Sequence, residues 1–414
     1  ALLSKTDICI LPVVLLLLAW WKNGHIRRRE ILSLIPWLFI GGILAGITIY
    51  IEHGTAGAQG PVFAFSVSQR LIIAGKDFWF YPFKLLWPHP LLEVYPSWDV
   101  GHILPTDWMF GGTALGILVI LWLLRKKIGR GVFTSVAFYG ITISPLLGFI
   151  SFSAMIYTFV TDHYQYLACI GIIVLVVELA ANGFEKLGEK FAGGSVEHHL
   201  WRPAVLATGA LLLELSVLTW TQCQLYKSPS AIWENVLTYD QNSWLALDQR
   251  GYYEYQMGDI KDAEQDERRA YQITGGNNFV ADGTLGLFLL NTQNDYREGV
   301  PLLVQSLKIN PYQPVCVTLL AYCYEHQGMI NNALLLLKDG LNLMPNDPAL
   351  NISMGEFLES QGQHQAALDH FKKALRYEPM NAACLLDVAR VLEKSGREQE
   401  AKAEYAKAME FNTK

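Results

Sequence analysis

Long apolar runs dominate the first 227 residues and carry almost no charge. A helix of about 20 such residues spans the hydrocarbon core of a bilayer. The pattern therefore predicts an all-α, polytopic transmembrane helical bundle with about six spans in residues 1–227. The predicted spans are 2–21, 33–51, 107–124, 132–150, 165–181 and 203–221.

The linkers between these spans alternate in charge. Residues 52–68 and 151–161 contain no Lys or Arg, whereas three other linkers are basic. Because Lys and Arg collect on the cytoplasmic side, the basic linkers are predicted to be cytoplasmic. The last span then leads outward and places residues 228–414 outside the cytoplasm. The basic clusters are Lys22 with Arg27, Arg28 and Arg29; Arg125, Lys126, Lys127 and Arg130; and Lys186, Lys190 and Arg202.

Residues 69–92 are apolar but should not cross the membrane, because the predicted linkers on both sides lie outside. Arg70, Lys76, Asp77 and Lys84 alternate with aromatic residues in this segment. That mixture is typical of a helix lying in the membrane interface. The alternative is a tilted seventh span, which would spoil the charge alternation.

A repeat of about 34 residues organises the C-terminal region. A turn residue recurs in five units, at spacings of 36, 34, 34 and 34 residues. Small residues recur five and twelve positions after each turn, where paired helices must approach closely. This is the tetratricopeptide pattern, a solenoid of helix hairpins that share one core. About five repeats are predicted over 244–412, within a domain at 228–414. The turn residues are Gly258, Asn294, Gly328, Gly362 and Gly396.

Charge divides the chain in the same way, with a net charge of +3 in residues 1–227 and −9 in residues 228–414. An acidic domain lacks the basic footprint that nucleic acid requires, so nucleic acid is excluded as a partner. The six cysteines form no CxxC pair and no zinc pattern. No cofactor is evident from the sequence, which leaves a divalent cation open.

Ionisable residues near the membrane surface are the candidate binding residues, because charge at membrane depth is costly. Under the predicted topology, Lys5, Arg70 and the pair Asp162 and His163 gather at the outer surface. Lys5, Arg70 and His163 suit the phosphate of a lipid-linked substrate, with Asp162 orienting His163. Tyr166 could stack on a sugar or anchor in the headgroups. The simpler interpretation makes Asp162 a helix cap and His163 an interfacial residue.

Three segments resemble bacterial GT-C-type membrane glycosyltransferases that end in tetratricopeptide repeats. They are SKT…LP (Ser4, Lys5, Thr6, Leu11, Pro12), FYPFKLLWPHPL around Trp87 and Pro88, and DHYQYLACIG at 162–171. The chain is similar to the C-terminal part of a relative of the transmembrane and tetratricopeptide-repeat O-mannosyltransferases. It departs from that family at His163, where eukaryotic members have Arg.

The resemblance implies an inner-membrane enzyme that transfers a sugar from a polyprenyl-phosphate donor to Ser or Thr of an extracytoplasmic protein. The acceptor protein or peptide would bind at the repeat groove. The family's acidic catalytic pair has no counterpart here, so the catalytic residues are expected upstream of residue 1. The chain begins within an apolar run, which likewise predicts that it is truncated at its N-terminus.

Two other functions fit the same pattern. One is a non-enzymatic membrane scaffold that recruits partner proteins through its repeats. The other is an O-antigen ligase or polymerase, which would need a large outer loop; 52–68 and 93–106 are modest in length.

Overall fold

A computed structural model describes residues 6–54, 63–192 and 201–412. These residues form eighteen α-helices and short 3₁₀ turns, with no strand among them. The predicted all-α class is therefore confirmed. The chain divides into two compact units, and the boundary lies between Ala246 and Leu247. The helix α8 falls in the first unit, although the sequence pattern placed residues from 228 onward with the repeats.

The helices of the first unit vary in length from 11 to 27 residues. They are α1 (Leu11–Asn23), α2 (Arg28–Gly54), α3 (Val67–Leu86), α4 (Trp108–Leu124), α5 (Arg130–Ile143), α6 (Cys169–Ala192), α7 (Trp201–Leu225) and α8 (Pro229–Tyr239).

Three segments in the described part of the chain are long and apolar enough to cross a bilayer: Arg28–Glu52, Pro105–Leu124 and Val205–Leu225. They coincide with the predicted spans 33–51, 107–124 and 203–221. Few of their side chains are buried within the protein. Such helices need an apolar solvent, which is compatible with a membrane location.

The other predicted spans correspond to interrupted or more polar helices. A 3₁₀ turn precedes α1, which leaves only 13 residues of α-helix. The helix α5 ends at Ile143 because Pro145, in the turn Ser144–Leu146, has no N–H to continue the ladder. The helix α6 carries Glu178 and Glu185.

The core of the first unit is built where α3 packs against α4 and α6, and where Phe78 of α3 meets Tyr139 of α5. A capping box fixes the start of α3: Ser66 Oγ accepts from the Gln69 N–H, and the Gln69 side chain accepts from the Ser66 N–H. Tyr81 and Tyr139 are fully buried in this core. The helix α3 is not among the three apolar segments, and its placement at the membrane interface stays a prediction.

The second unit is a row of helix hairpins, each packed on the next. The small residues predicted at the hairpin contacts, such as Ala333, Ala367 and Ala374, are almost completely buried. The helices are α9 (Trp244–Met257), α10 (Ile260–Thr274), α11 (Phe279–Gln293), α12 (Tyr296–Ile309), α13 (Pro314–His326), α14 (Ile330–Leu343), α15 (Pro348–Ser360), α16 (His364–Tyr377), α17 (Ala382–Lys394) and α18 (Glu398–Asn412).

The predicted turn residues all adopt positive φ. Gly328, Gly362 and Gly396 share a φ of 76°, Gly258 has 90°, and Asn294 has 52°. A left-handed residue ends a helix and reverses the chain, and only Gly and Asn adopt it readily. The sequence period therefore corresponds to one repeated backbone geometry.

Candidate functional site

Asp162 lies at the start of a 3₁₀ turn, Asp162–Gln165, and its carboxylate binds Tyr95. The Tyr95 hydroxyl lies 3.0 Å from both Asp162 oxygens. Burial raises the pKa of Asp162, against the hydrogen bond from Tyr95 and the charge of Lys84. This carboxylate is therefore held by the protein in a half-buried position.

Lys84 belongs to the same cluster, although the sequence pattern did not mark it as a binding residue. Its Nζ donates to the Pro90 carbonyl at 2.5 Å and lies 4.8 Å from the centre of the Tyr95 ring. Burial lowers the pKa of Lys84, and the charge of Asp162 opposes that effect. Lys84, Tyr95 and Asp162, the Lys84 cluster, thus join the FYPFKLLWPHPL and DHYQYLACIG segments. The sequence feature that could have identified Lys84 as a site residue is its position in the FYPFKLLWPHPL segment.

Arg70 makes its contacts elsewhere in the unit. Its guanidinium donates to the carbonyls of Gly148 at 3.0 Å and Phe149 at 3.2 Å, and to Ser151 Oγ at 2.9 Å. These bonds hold the chain segment that follows α5. Most of the Arg70 donors are consequently occupied by the protein itself.

His163 and Tyr166 are exposed. The His163 ring packs edge-on against Tyr164, with 4.7 Å between ring centres, and 77% of Tyr166 is exposed. Among the described residues, neither forms a hydrogen bond or an ion pair with Asp162, although the charge of His163 lowers the pKa of that carboxylate. Lys5 lies outside the described residues.

An aromatic pocket of about 600 Å³ lies beside the Lys84 cluster. Lys76 forms an ion pair with Asp107 at 2.9 Å on its wall. Beneath it, the fully buried Asp77 accepts a hydrogen bond from Trp98 Nε1 at 2.8 Å. Burial raises the pKa of Asp77 well above its usual range. The pocket is lined by Lys76, Trp79, Phe80, Phe83, Lys84, Trp87, His89, Trp98, Asp107 and Phe110.

The second unit has a cavity of about 600 Å³ along α13, α15 and α17, here called the repeat groove. These three helices are the first helices of successive hairpins, so residues 34 apart occupy equivalent positions. Tyr322, Glu356 and Arg390 are one such set, and each is exposed in the groove. The residues at the helix-packing positions are small in every repeat. The residues at this groove position, by contrast, are aromatic, acidic or basic in successive repeats.

The two cations of the groove are already paired. Arg390 donates to Glu359 at 3.0 and 2.8 Å and contacts Asp387 at 2.8 Å. Lys394 Nζ lies 2.9 Å from Glu359. These pairs leave Glu325 and Glu356 without a cationic partner at ion-pair distance among the described residues.

The excess of negative charge in the groove affects the pKa of Glu356. Its pKa is raised by burial first, then by the carboxylates of Asp387, Glu359 and Glu325, against the charge of Arg390. The groove therefore presents a negative potential at Glu356.

Metal coordination has no support in the described ranges: no group of three His, Cys, Asp or Glu side chains there could hold an ion. All six cysteines lie in the described residues, and none of them forms a disulfide.

Comparison with known proteins identifies the repeats. The sequence profile of the tetratricopeptide repeat family matches residues 358–414. No curated protein matches the chain.

Among solved structures, the chain is similar to PilW, described as a widely conserved type IV pilus biogenesis factor. The identity is 23%, the match covers 46% of this chain and 87% of PilW, and the TM-score is 0.40. It is also similar to MamA, from residue 41 to the end, of Desulfovibrio magneticus RS-1. There the identity is 15%, the coverage is 41% of this chain and 95% of MamA, and the TM-score is 0.35. The family match alone identifies residues 358–414 as tetratricopeptide repeat sequence.

Proposed function

We propose that the chain is a membrane scaffold whose repeat groove binds a segment of a partner protein. The observation that carries this proposal is the open cavity along α13, α15 and α17. It is lined by large exposed side chains, including a Tyr322 that is 52% exposed. A half-exposed aromatic ring beside unpaired carboxylates resembles an interface more than a solvated surface.

Site-specific photo-crosslinking in intact cells tests the groove. A benzophenone amino acid at position 322 should give a discrete crosslinked product, whereas the same probe at Asp339, exposed on α14, should not. Ser353→Trp should fill the groove and abolish the product, and Asp339→Trp should leave it unchanged. Equal products from both positions, or a product that survives Ser353→Trp, would contradict the proposal.

We also propose that the repeats lie outside the cytoplasm and that the first unit spans the membrane several times. The alternation of basic and uncharged linkers supports this topology. The native cysteines of the array, Cys316, Cys323 and Cys384, are buried, so the wild-type array should react little with a maleimide. In a Cys223→Ser background, which removes the exposed native thiol, Asp339→Cys should label with a membrane-impermeant maleimide in intact spheroplasts. Labelling only after lysis would overturn the topology.

A second candidate function is transfer of a sugar from a polyprenyl-phosphate donor to a protein, as the resemblance implies. The observation that favours it is the Lys84 cluster, which brings together two of the three resembling segments. In this proposal Lys84 joins Lys5 and His163 as a donor-phosphate contact, with Asp162 as the orienting carboxylate and Tyr166 beside the sugar. Arg70, whose donors are mostly taken by the protein, contributes to phosphate binding through its charge.

Binding of undecaprenyl phosphate to the chain in nanodiscs, measured by native mass spectrometry, tests that candidate. Lys84→Ala should weaken binding about tenfold, the effect of losing one charge-assisted contact of ~1.4 kcal/mol. Lys126→Ala, at an exposed basic-linker position, is the matched control. An equal loss in both variants would indicate general charge attraction and would exclude a site at Lys84.

A further inference from the structure

The repeat groove is unbalanced in charge. Four carboxylates, Glu325, Glu356, Glu359 and Asp387, face two cations. Both cations, Arg390 and Lys394, are held by Glu359 and Asp387. Glu325 accepts a hydrogen bond from Ser360, a neutral donor. The surplus negative charge is therefore concentrated at Glu325 and Glu356.

An aromatic surface adjoins these carboxylates on the same cavity. Tyr322 is half-exposed, and its ring packs on His326 with 4.1 Å between ring centres. The contact with His326 limits the orientations of the Tyr322 ring. A ring fixed in this way offers one face to a cation that enters the groove.

We infer that the segment bound in the groove carries an arginine side chain, seated against Tyr322 and paired with Glu325 and Glu356. This inference rests on the proposed function and specifies the chemistry of its partner. Charge complementarity carries it, because an acidic segment would meet the unpaired carboxylates and would have to compete for Arg390 and Lys394. Burial is the main cause of the raised pKa of Glu356, and the neighbouring carboxylates raise it further; a nearby cation would relieve that second effect.

Arginine fits better than lysine for two physical reasons. Its planar guanidinium stacks on aromatic rings and offers five donors, enough for two carboxylates at once. It is also less strongly hydrated than an ammonium group, so its transfer into a half-buried groove costs less. A lysine should therefore bind more weakly at the same position.

A displayed library of random twelve-residue peptides, selected on the full chain in detergent micelles, tests the inference. Selected peptides should share an arginine, and replacement of that arginine by citrulline should weaken binding about tenfold. Glu356→Gln should cause a similar loss, while Asp339→Asn, on the exposed face of α14, should cause none. Because Glu356 lies at the accessible surface of the groove and is repelled by neighbouring carboxylates, its substitution should not lower the melting temperature, which is measured in parallel.

A charge-reversal selection sharpens the result. On the Glu356→Arg variant, the same library should yield peptides with Glu or Asp in place of the arginine. Peptides that lose binding with Ser353→Trp but bind equally well with citrulline would overturn the arginine assignment and leave the groove function intact. Peptides insensitive to Ser353→Trp, or no selected peptides, would overturn both.

Discussion

The two units of this chain use apolar side chains in opposite ways. The first unit exposes large apolar residues along its longest helices, such as Phe39 and Trp220, each about 70% exposed. The second unit buries its apolar residues and surrounds them with charge, as at Phe371, which is completely buried. In the array, burial of apolar residues reflects tight packing between helices. In the apolar helices of the first unit, exposure of apolar residues is instead what a helix in an apolar solvent shows.

Close helix contacts show the same contrast. A Cβ added at Gly75 would lie 2.6 Å from the backbone nitrogen of Gly111, so α3 and α4 meet backbone to backbone. A Cβ added at Gly355 would instead meet the ring of Phe371. Small residues allow close approach in both units: the neighbour of Gly75 is another backbone, and the neighbour of Gly355 is an aromatic ring.

Phe371→Ala should have the largest effect and should be confined to the array. Removing a completely buried phenylalanine costs about 3 to 5 kcal/mol. Because each solenoid repeat contacts only its neighbours, hydrogen exchange should accelerate in α15 to α18 and stay unchanged in α3 to α6. Tyr377→Ala, exposed on the same helix, is the control. Faster exchange throughout both units would contradict the claim that the effect of this core substitution is confined to the array.

Gly75→Ala should disrupt the first unit alone, at a cost of about 2 to 3 kcal/mol, because backbone atoms must separate to admit the methyl group. The matched control is Gly112→Ala, one residue beyond the contact on α4, where an added Cβ meets nothing within 4 Å. Thermal unfolding in detergent, followed by size-exclusion chromatography, measures the difference. Equal melting temperatures for the two variants would show that α3 and α4 do not meet at Gly75.

Glu267→Gln should stabilise the array above neutral pH. Glu267 is buried in the first repeats, and burial raises its pKa to about 9, with a contribution from the nearby Asp248. The folded state therefore keeps this proton while the unfolded chain loses it near pH 4.5. Stability from this group is complete below that pH and declines as the pH rises toward 9.

The glutamine variant cannot ionise, so the decline of stability with pH should flatten by up to about 1.4 kcal/mol per pH unit between about pH 5 and pH 8. Chemical unfolding of the chain between pH 5 and pH 9, followed by the loss of helical circular dichroism in the array transition, measures the slope. Glu264→Gln, at a surface carboxylate paired with Arg268, should leave the slope in place. A variant slope equal to that of the wild type would show that Glu267 does not carry the pH dependence.

Lys394→Ala should have the smallest effect. Its ion pair with Glu359 lies at the groove surface, where Lys394 is half-exposed, and such pairs contribute about 0.5 kcal/mol or less. Unfolding by urea should hardly change relative to the wild type. A loss comparable to that of Phe371→Ala would mean that the groove pairs, and not the buried rings, hold the repeats together.

The array was largely predictable because its pattern is local and periodic. Gly328, Gly362 and Gly396 recur every 34 residues, and a left-handed turn is the physical reason for glycine at each. Asn294 fits the same place because asparagine tolerates positive φ. The five hairpins follow once these turns are aligned.

The candidate site of the first unit was less predictable because its contacts join distant, non-periodic positions. Tyr95 and Asp162 meet across 67 residues, and no spacing rule links them. The partners of Arg70 include the backbone carbonyls of Gly148 and Phe149. Every residue has such a carbonyl, so the residue type does not indicate which one will accept the bond. The helix break at Pro145 was visible in the sequence, yet hydropathy alone extended the span to residue 150.

The aromatic pocket has an optical consequence. It contains Trp79, Trp87 and Trp98, and all twelve tryptophans of the chain lie at or before Trp244. The repeats from Leu247 onward absorb only through tyrosine and phenylalanine. Light that excites indole alone therefore monitors the first unit, together with Trp244 at the start of α9. A quencher or a brominated lipid at the pocket would reduce tryptophan fluorescence that comes almost entirely from the first unit, without any added label.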